Sequence, residues 1–382
     1  MTDLEGKNIR TPFDEEVREN PEYLLGNLVT YLGNKRALLP EIAEALKKVK
    51  KRLGKSKLRV LDIFSGSGVV SRFFKGHASW LGANDFEDYA RVISSCFLTN
   101  RSEIDSSALS GYVRQLNEKV MDNDLPSGFI RELYAPKDQD NITEDDRVFY
   151  TVENAVRIDN YRRLLDRLPK KYRTILLAVL LSEASVHANT AGVFKGFYKD
   201  RATGKGRYGG SGADALKRIK GRIELNAPVL SRYQCEYAVF QEDANRLASK
   251  ISDLDLVYVD PPYNQHPYGS NYFMLNLITA YRPPDRISRV SGIPADWKRS
   301  DYNVRRKALP VLRDLLKHLD AKFLMISFNN EGFIDSRSME EMLAELGKVD
   351  VARFSYNAFR GSRSFQNRPL HVTEQLFLVE KS

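Results

Sequence analysis

The chain has 382 residues, enough for one large domain or for a core domain with a smaller companion. Its 42% hydrophobic and 29% charged content is ordinary for a globular protein, and no apolar run approaches the roughly 18 residues that span a bilayer. A formal charge of +9 favours a polyanionic partner, whereas the two separated cysteines, Cys96 and Cys235, and five scattered histidines argue against a disulfide scaffold or a metal site and suit a reducing cytoplasm.

The first 25 or so residues read as a polar approach segment without the features of a secretory leader. Residues 34–53 place Leu38, Leu39, Ile42, Leu46, Val49 and Leu53 at helical spacing, an amphipathic helix whose basic end (47–57) complements a helix C-terminus or is simply a solvated face. A short apolar strand at 58–63 runs into small residues and then a helix. "ASWLGANDF" is a second strand, ending on Asn84 and Asp85. From about 92 to 230 the periodicity is helical, with "ILLAVLL" (175–181) as a buried helix. Strands resume in "YAVFQEDANRL", "LDLVYVDPPY" and "AKFLMISFNNEG", and two closing strands follow, "VDVARFSYNAF" and "VTEQLFLVEK", the latter alternating enough to be an edge. The expected architecture is α/β: a mostly parallel sheet formed by residues 1–95 and 231–382, interrupted by a mainly helical domain at 96–230.

Two stretches carry chemistry. "DIFSGSG" sets Asp62, Phe64, Ser65, Gly66 and Gly68 at a strand-to-helix turn, where open α/β sheets bind ligands and where glycine admits close backbone approach. Alone, such a loop is equally a tight turn. Asp85, closing the next strand, is placed to meet a ribose diol, so the pair points to a nucleoside cofactor, and the missing third glycine argues against a dinucleotide. In "DPPY", Asp260, Pro261, Pro262 and Tyr263 end another strand of the same sheet. The two prolines fix φ and remove two donors, leaving carbonyl acceptors in a rigid frame. A carboxylate, a fixed carbonyl and a flat ring suit a planar substrate with an exocyclic amino group: Asp260 and the Pro261 carbonyl receive its two N–H groups, and Tyr263 stacks on the ring. Such a displacement works by positioning, with neither metal nor covalent intermediate.

Basic and aromatic residues interleave at 189–212: Lys195, Lys199, Arg201, Lys205 and Arg207 alternate with Phe194, Phe197, Tyr198 and Tyr208. They suit phosphate contacts and base wedging, with Gly209, Gly210 and Gly212 leaving the loop mobile until a nucleic acid arrives, although a solvated surface loop has the same composition. Residues 213–222 extend the positive charge. Residues 296–307 form a second basic segment able to grip the backbone near the reacting base. Taken by themselves, His266, Tyr268 and Tyr272 read as a helix N-terminus packed on the core.

Together these pieces resemble the Dam-like (alpha-group) DNA adenine-N6 methyltransferases. "YLGNKRALLPEI" resembles that family's N-terminal motif, which implies that Tyr31, Gly33 and Lys35 contact the methionine part of S-adenosyl-L-methionine. "DIFSGSG" resembles its cofactor loop, and "QEDANRL" the segment whose acid, here Asp243, bonds the cofactor's adenine. "DPPY" resembles the catalytic motif, and the resemblance implies that the region just past it, with His266, Tyr268 and Tyr272, helps to hold the flipped base. "ISFNNEGFID" and "FRGSRSFQNRPLHVTEQLFLVE" resemble the closing part of bacterial members. The resemblance implies a Rossmann-like sheet, a target-recognition insert of no evident specificity class, and base flipping in double-stranded DNA. Where such an enzyme belongs to a restriction–modification pair, it also implies a cognate restriction endonuclease as partner. Amino-methylation of cytosine N4 or of RNA shares the Pro-Pro-aromatic core and stays open, as does a DNA-binding protein with a degenerate methylase core.

Overall fold

The computed structural model describes residues 18–26, 29–121, 125–210, 215–357 and 371–382. The first 17 residues, Gly212, Ala213 and residues 358–370 of the closing resemblance lie outside them. In chain order, α1 (Pro21–Leu25) and a 3-10 turn (Lys35–Leu38) lead into α2 (Leu39–Leu53), β1 (Leu58–Asp62), α3 (Val69–Lys75), β2 (Ala78–Asn84) and α4 (Asp88–Leu98). Helices α5 (Ser106–Val120), α6 (Phe129–Tyr134), α7 (Val152–Leu165), α8 (Lys170–Val186) and α9 (Leu216–Lys220) follow. Then come β3 (Glu236–Phe240), α10 (Ala244–Ala248), β4 (Leu254–Val259), α11 (Tyr268–Asn271), α12 (Phe273–Ala280), α13 (Arg305–His318), β5 (Ala321–Asn329), α14 (Ser336–Ala344), β6 (Gly347–Asn357) and β7 (His371–Lys381).

The strands form one sheet in the order β3-β2-β1-β4-β5-β7-β6. β3, β2, β1, β4 and β5 pair in parallel, and β7 pairs antiparallel with both β5 and β6. The expected mostly parallel α/β sheet is therefore present. Alternate residues along each strand enter opposite cores, as a two-residue side-chain period requires. Val60, Leu256, Tyr258, Met325 and Leu378 join one apolar cluster, while Leu61, Val257, Val259, Ile326 and Val379 join the other. Helices α2, α3, α4 and α12 cover the first face, and α10, α13 and α14 the second.

Two expectations need correcting. The C-terminal strand β7 is interior and β6 is the edge. Leu376, Phe377, Leu378 and Val379 are all buried, so β7 is covered on both faces, which its alternating ends concealed. Helical periodicity also does not hold to residue 230: beyond α8 the chain is irregular apart from the single turn and a half of α9. Helix α8 itself is apolar all round and buried from Ile175 to Leu181, within the same cluster as the sheet residue Val60.

Part of the positive charge is structural. Arg72 donates to the carbonyls of Tyr23 and Gly26 at 3.1 and 2.7 Å, Arg157 to Ile223 at 2.7 Å, and Arg162 to Ile278 at 2.9 Å. Guanidinium donors thus satisfy carbonyls that the last turns of α1 and α12 and the irregular chain leave without backbone partners. Among the described residues no helix is long and apolar enough to cross a membrane.

Candidate active site

The strand order reverses between β1 and β4, so the loops leaving those two strands face one crevice. Register fixes their relation: Asp62 lies opposite Tyr258, and Asp260 follows two residues on. The resulting cleft, about 800 Å³, is lined by Tyr31, Gly33, Lys35, Asp62, Phe64, Ser65, Gly66, Asp85, Asp260 and Pro262 among others. Residues expected from four separate segments are thereby brought together.

The loop after β1 turns at Gly66 and Gly68, with φ of +49° and +77°, the left-handed region that disfavours a side chain. A Cβ on Gly66 would also stand 3.0 Å from the Tyr31 ring. Asp85 braces this loop, its Oδ2 accepting from the Gly66 amide at 2.8 Å and its Oδ1 from the Glu87 amide at 2.9 Å. Burial raises its pKa, against those amides. Asp62 accepts from the Ser71 hydroxyl through Oδ2 at 2.5 Å, but among the described residues its buried Oδ1 has no hydrogen-bond partner. Burial pushes the Asp62 carboxyl up to about 7, opposed by Ser71. An orphaned, desolvated carboxylate oxygen on a cleft wall is a receptor for an ammonium donor.

Asp260 enters from the opposite wall. Its Oδ1 lies 3.1 Å from the Lys35 ammonium, whose other carboxylate partner, Glu374 Oε1, is at 2.8 Å. Burial disfavours the Lys35 charge, yet the two carboxylates hold its pKa well above the ordinary lysine value. Burial pushes the Asp260 carboxyl up to about 7, with Lys35 opposing and Glu374 adding to the rise. Pro261 is buried, and among the described residues its carbonyl accepts no hydrogen bond. Tyr263 is fixed at both ends: its hydroxyl accepts from Asn329 Nδ2 at 2.8 Å and its carbonyl from the Phe333 amide at 2.8 Å.

The N-terminal motif is held to this wall by rings. Tyr31 stacks near-parallel on Tyr268 and Tyr272, at centroid separations of 5.1 and 4.8 Å. Tyr272 is fully buried and its hydroxyl accepts from the Leu32 amide at 2.7 Å, so it belongs to the core, while Tyr268 lines the cleft. Asp243 is not in the cleft. It caps α10 by accepting from the Arg246 amide at 3.1 Å and lines an adjoining hollow that shares Phe64, Phe86 and Ser300 with it.

The basic segments are built differently from the expectation. At 189–210 the aromatic residues point inward: Phe194 is buried against Phe149 and Phe273, and Phe197 packs edge-on to Phe149. The half-buried Tyr208 donates to the Tyr150 carbonyl at 3.2 Å. Lys195, Lys199, Arg201, Lys205 and Arg207 are exposed, the last four on or beside a small hairpin closed by a bridge between Lys199 and Gly206. Buried Asn189 anchors this unit, receiving the Gly209 amide at 3.0 Å and donating to the carbonyls of Val148 and Arg207. The wedging role for Phe194 is thus corrected, and Gly209 is tied to the fold. In the next segment Arg218 donates to the carbonyls of Val186, Ala188 and Thr190, so part of that segment's positive charge is held inside the protein. Lys298, Ser300 and Asn303 line the cleft, the Lys298 ammonium bound to Asp88 and the Phe86 carbonyl at 2.8 Å each.

Sequence reasoning missed Glu374, Asn329 and Glu87. Glu87, which lines the cleft and accepts from Asn276 at 2.6 Å, is pushed up to about 7 by burial. The one signal for Glu374 was an acid inside an apolar strand, muted because that strand was expected at an edge. Among the described residues no group of three or more His, Cys, Asp or Glu is placed to hold a metal ion.

The comparisons with known proteins agree with this geometry. The family model for D12 class N6 adenine-specific DNA methyltransferases matches residues 31–289. The chain is 29% identical to the Type II methyltransferase M.NlaIII of Neisseria lactamica over 84% of its own length and 90% of that protein. It is 28% identical to the Type II methyltransferase M.CviAII of Paramecium bursaria Chlorella virus 1, over 92% and 98%. With the modification methylase StsI of Streptococcus sanguinis it shares 28% identity over 92% of its length, but spans only 52% of that relative. The family model covers the glycine loop and Asp260 of the crevice at the β1/β4 reversal, and the chain belongs to the D12 class of N6 adenine-specific DNA methyltransferases, a family whose reaction uses a methyl donor.

Proposed function

We propose that this protein methylates the exocyclic N6 of adenine at a specific site in duplex DNA, using S-adenosylmethionine, with the target base extruded into the crevice. The observation that carries the reading is Asp260: one carboxylate oxygen is held by Lys35, and the side chain is still 18% exposed at the cleft beside a rigid Pro261 carbonyl. When bound, the cofactor supplies an electrophilic methyl group on a sulfonium centre. Asp62, with its unpartnered Oδ1, would take the cofactor's ammonium. Tyr31, Gly33, Lys35, Phe64, Ser65, Gly66 and Gly68 would form the surrounding wall, and Asp85 would keep the glycine loop in shape. The hollow beside Asp243 would receive the adenine end.

Asp260 and the Pro261 carbonyl would accept the two amino hydrogens of the flipped base, withdrawing the nitrogen lone pair from the ring and aiming it at the methyl group. Tyr263, locked by Asn329 and the 333 amide, would stack on the base, with Pro262 packed beside it. As the new N–C bond forms and the S–C bond breaks, the amino proton would leave by way of Asp260. Lys195, Lys199, Arg201, Lys205 and Arg207 would meet phosphates, and a companion endonuclease cutting the same site is the inferred biological partner.

The test is methyl transfer from labelled S-adenosylmethionine to unmethylated genomic DNA, followed by digestion to nucleosides, with Asp260→Ala as control. Label in N6-methyldeoxyadenosine, lost in the control, is expected. Label in methylcytosine would move the reading to another base, and label in RNA alone would move it to another substrate.

A further inference from the structure

Glu374 belongs to a buried polar chain that leads through Lys35 to the cleft. Its Oε1 accepts from the Ser327 hydroxyl on β5 at 2.7 Å and from the Lys35 ammonium at 2.8 Å, and Lys35 reaches Asp260 Oδ1 at 3.1 Å. Side-chain exposure rises along the chain towards the cleft: 0% for Glu374, 4% for Lys35 and 18% for Asp260. Among the described residues the second Asp260 oxygen, Oδ2, makes no hydrogen bond, and the shortest contact of the ion pair with Lys35 is through Oδ1. The innermost residues are thus fixed, and one oxygen is left available at the open end.

We propose that Glu374 is a positioning residue for the transfer reaction: by sharing the Lys35 ammonium it orients the Asp260 carboxylate through Oδ1 and keeps Oδ2 free for the substrate amino group. This inference rests on the functional reading above. The physical reason is competition for a single cation. An ammonium in a low-dielectric site pairs as fully as it can, because an uncompensated buried charge is costly. With Glu374 neutral, Lys35 has Asp260 as its one carboxylate partner among the described residues and is drawn across both its oxygens. The acceptor is then occupied by the enzyme's own lysine. With Glu374 charged, Lys35 stays between two carboxylates.

The charged and titratable groups around Asp260 come from several elements: Lys35 from the 3-10 turn, Glu374 from β7, Asp62 from β1, Tyr258 from β4, and Tyr263 and Tyr268 from the segment after it. Among them Glu374 acts to raise the Asp260 pKa and Lys35 to lower it. Glu374→Gln keeps the shape and the acceptor for Ser327 and Lys35 but removes the charge. It should lower kcat by about 10²-fold, as expected of a misaligned reacting group, with the KM for DNA and the calorimetric Kd for S-adenosylmethionine within about threefold of the parent. The acid limb of kcat/KM should move to lower pH. A loss that merely loosens the fold would depress the whole profile without moving its limb.

Ser327→Ala is the second variant. It removes only the hydroxyl that anchors Glu374, leaves the charge in place, and should lower kcat about three- to tenfold with the limb unmoved. A folded Glu374→Gln protein with parental kcat and parental limb overturns the proposal, as does a Ser327→Ala protein whose limb moves as far as that of Glu374→Gln. If Glu374→Gln does not fold, the Ser327→Ala arm decides: a parental kcat there overturns the proposal. The parent enzyme is run alongside. If it places no label in DNA, the functional reading falls and this inference with it, an outcome distinct from active parent and unchanged variant.

Discussion

The crevice and the basic hairpin use the same kinds of residue, charged side chains beside aromatic rings, in opposite ways. In the crevice the charges are buried and matched: Lys35 lies between Asp260 and Glu374, and Asp85 braces Gly66. At the hairpin the rings turn inward and the charges are exposed, with Phe194 buried, Phe197 half-buried against the core, and Lys199, Arg201 and Lys205 outside. The lesson is energetic. A buried charge must be placed to within a hydrogen bond, so its position is specified by chemistry. An exposed lysine works against a phosphate from many positions, so its role follows from the field it adds to rather than from a geometry.

The comparison breaks first at Asp260. Asp260→Ala should cut kcat by about 10³-fold or more, since it removes an acceptor used in the transition state, while the S-adenosylmethionine Kd stays within about threefold. Retained turnover in single-turnover assays would take Asp260 out of the chemistry. In the parent, the raised Asp260 carboxyl gives the sign of the pH dependence: kcat/KM should climb about tenfold per pH unit below about 7, where the acceptor is protonated, and level off above it.

Phe194→Ala tests the other region. A core ring should cost about 3–5 kcal/mol in chemical denaturation, whereas a base wedge would leave stability unchanged and weaken only DNA binding. Gly66→Ala is smaller. Its methyl group meets the Tyr31 ring in a left-handed backbone, and cofactor binding should weaken by about 1–2 kcal/mol, read by calorimetry. The smallest effect sharpens the contrast: removing Lys199, Arg201 and Lys205 together should leave kcat on saturating DNA near parental while reducing the slope of log affinity against log salt by about 3. An unchanged slope would mean that the hairpin does not face DNA.

Much of the crevice was legible because its residues stand at strand ends in combinations that plain turns do not need. The glycines after β1 and the prolines after β4 mark backbone geometry as directly as they mark chemistry. Lys35 was legible only through resemblance, since its partner Glu374 lies more than three hundred residues away in sequence. Asn329, which holds the Tyr263 hydroxyl, carried no signal at all, an asparagine at a strand end being ordinary. The aromatic residues at 189–210 misled for a physical reason: a hairpin anchored on the core buries one face, and interleaved composition does not say which face that is.

By itself, the amino-acid order determined the alternating elements, the parallel sheet they imply, the glycine loop, the DPPY turn and the excess of positive charge, because each is written in local periodicity or in residues with unusual backbone rules. Only the tertiary structure decided that β7 is interior and that Glu374 is therefore buried against Lys35. It also decided that several arginines are spent on carbonyls inside the protein and that Asp243 sits in a separate hollow. Those outcomes depend on which distant surfaces are pressed together and desolvated, and burial is a property of the packed chain rather than of any stretch of it.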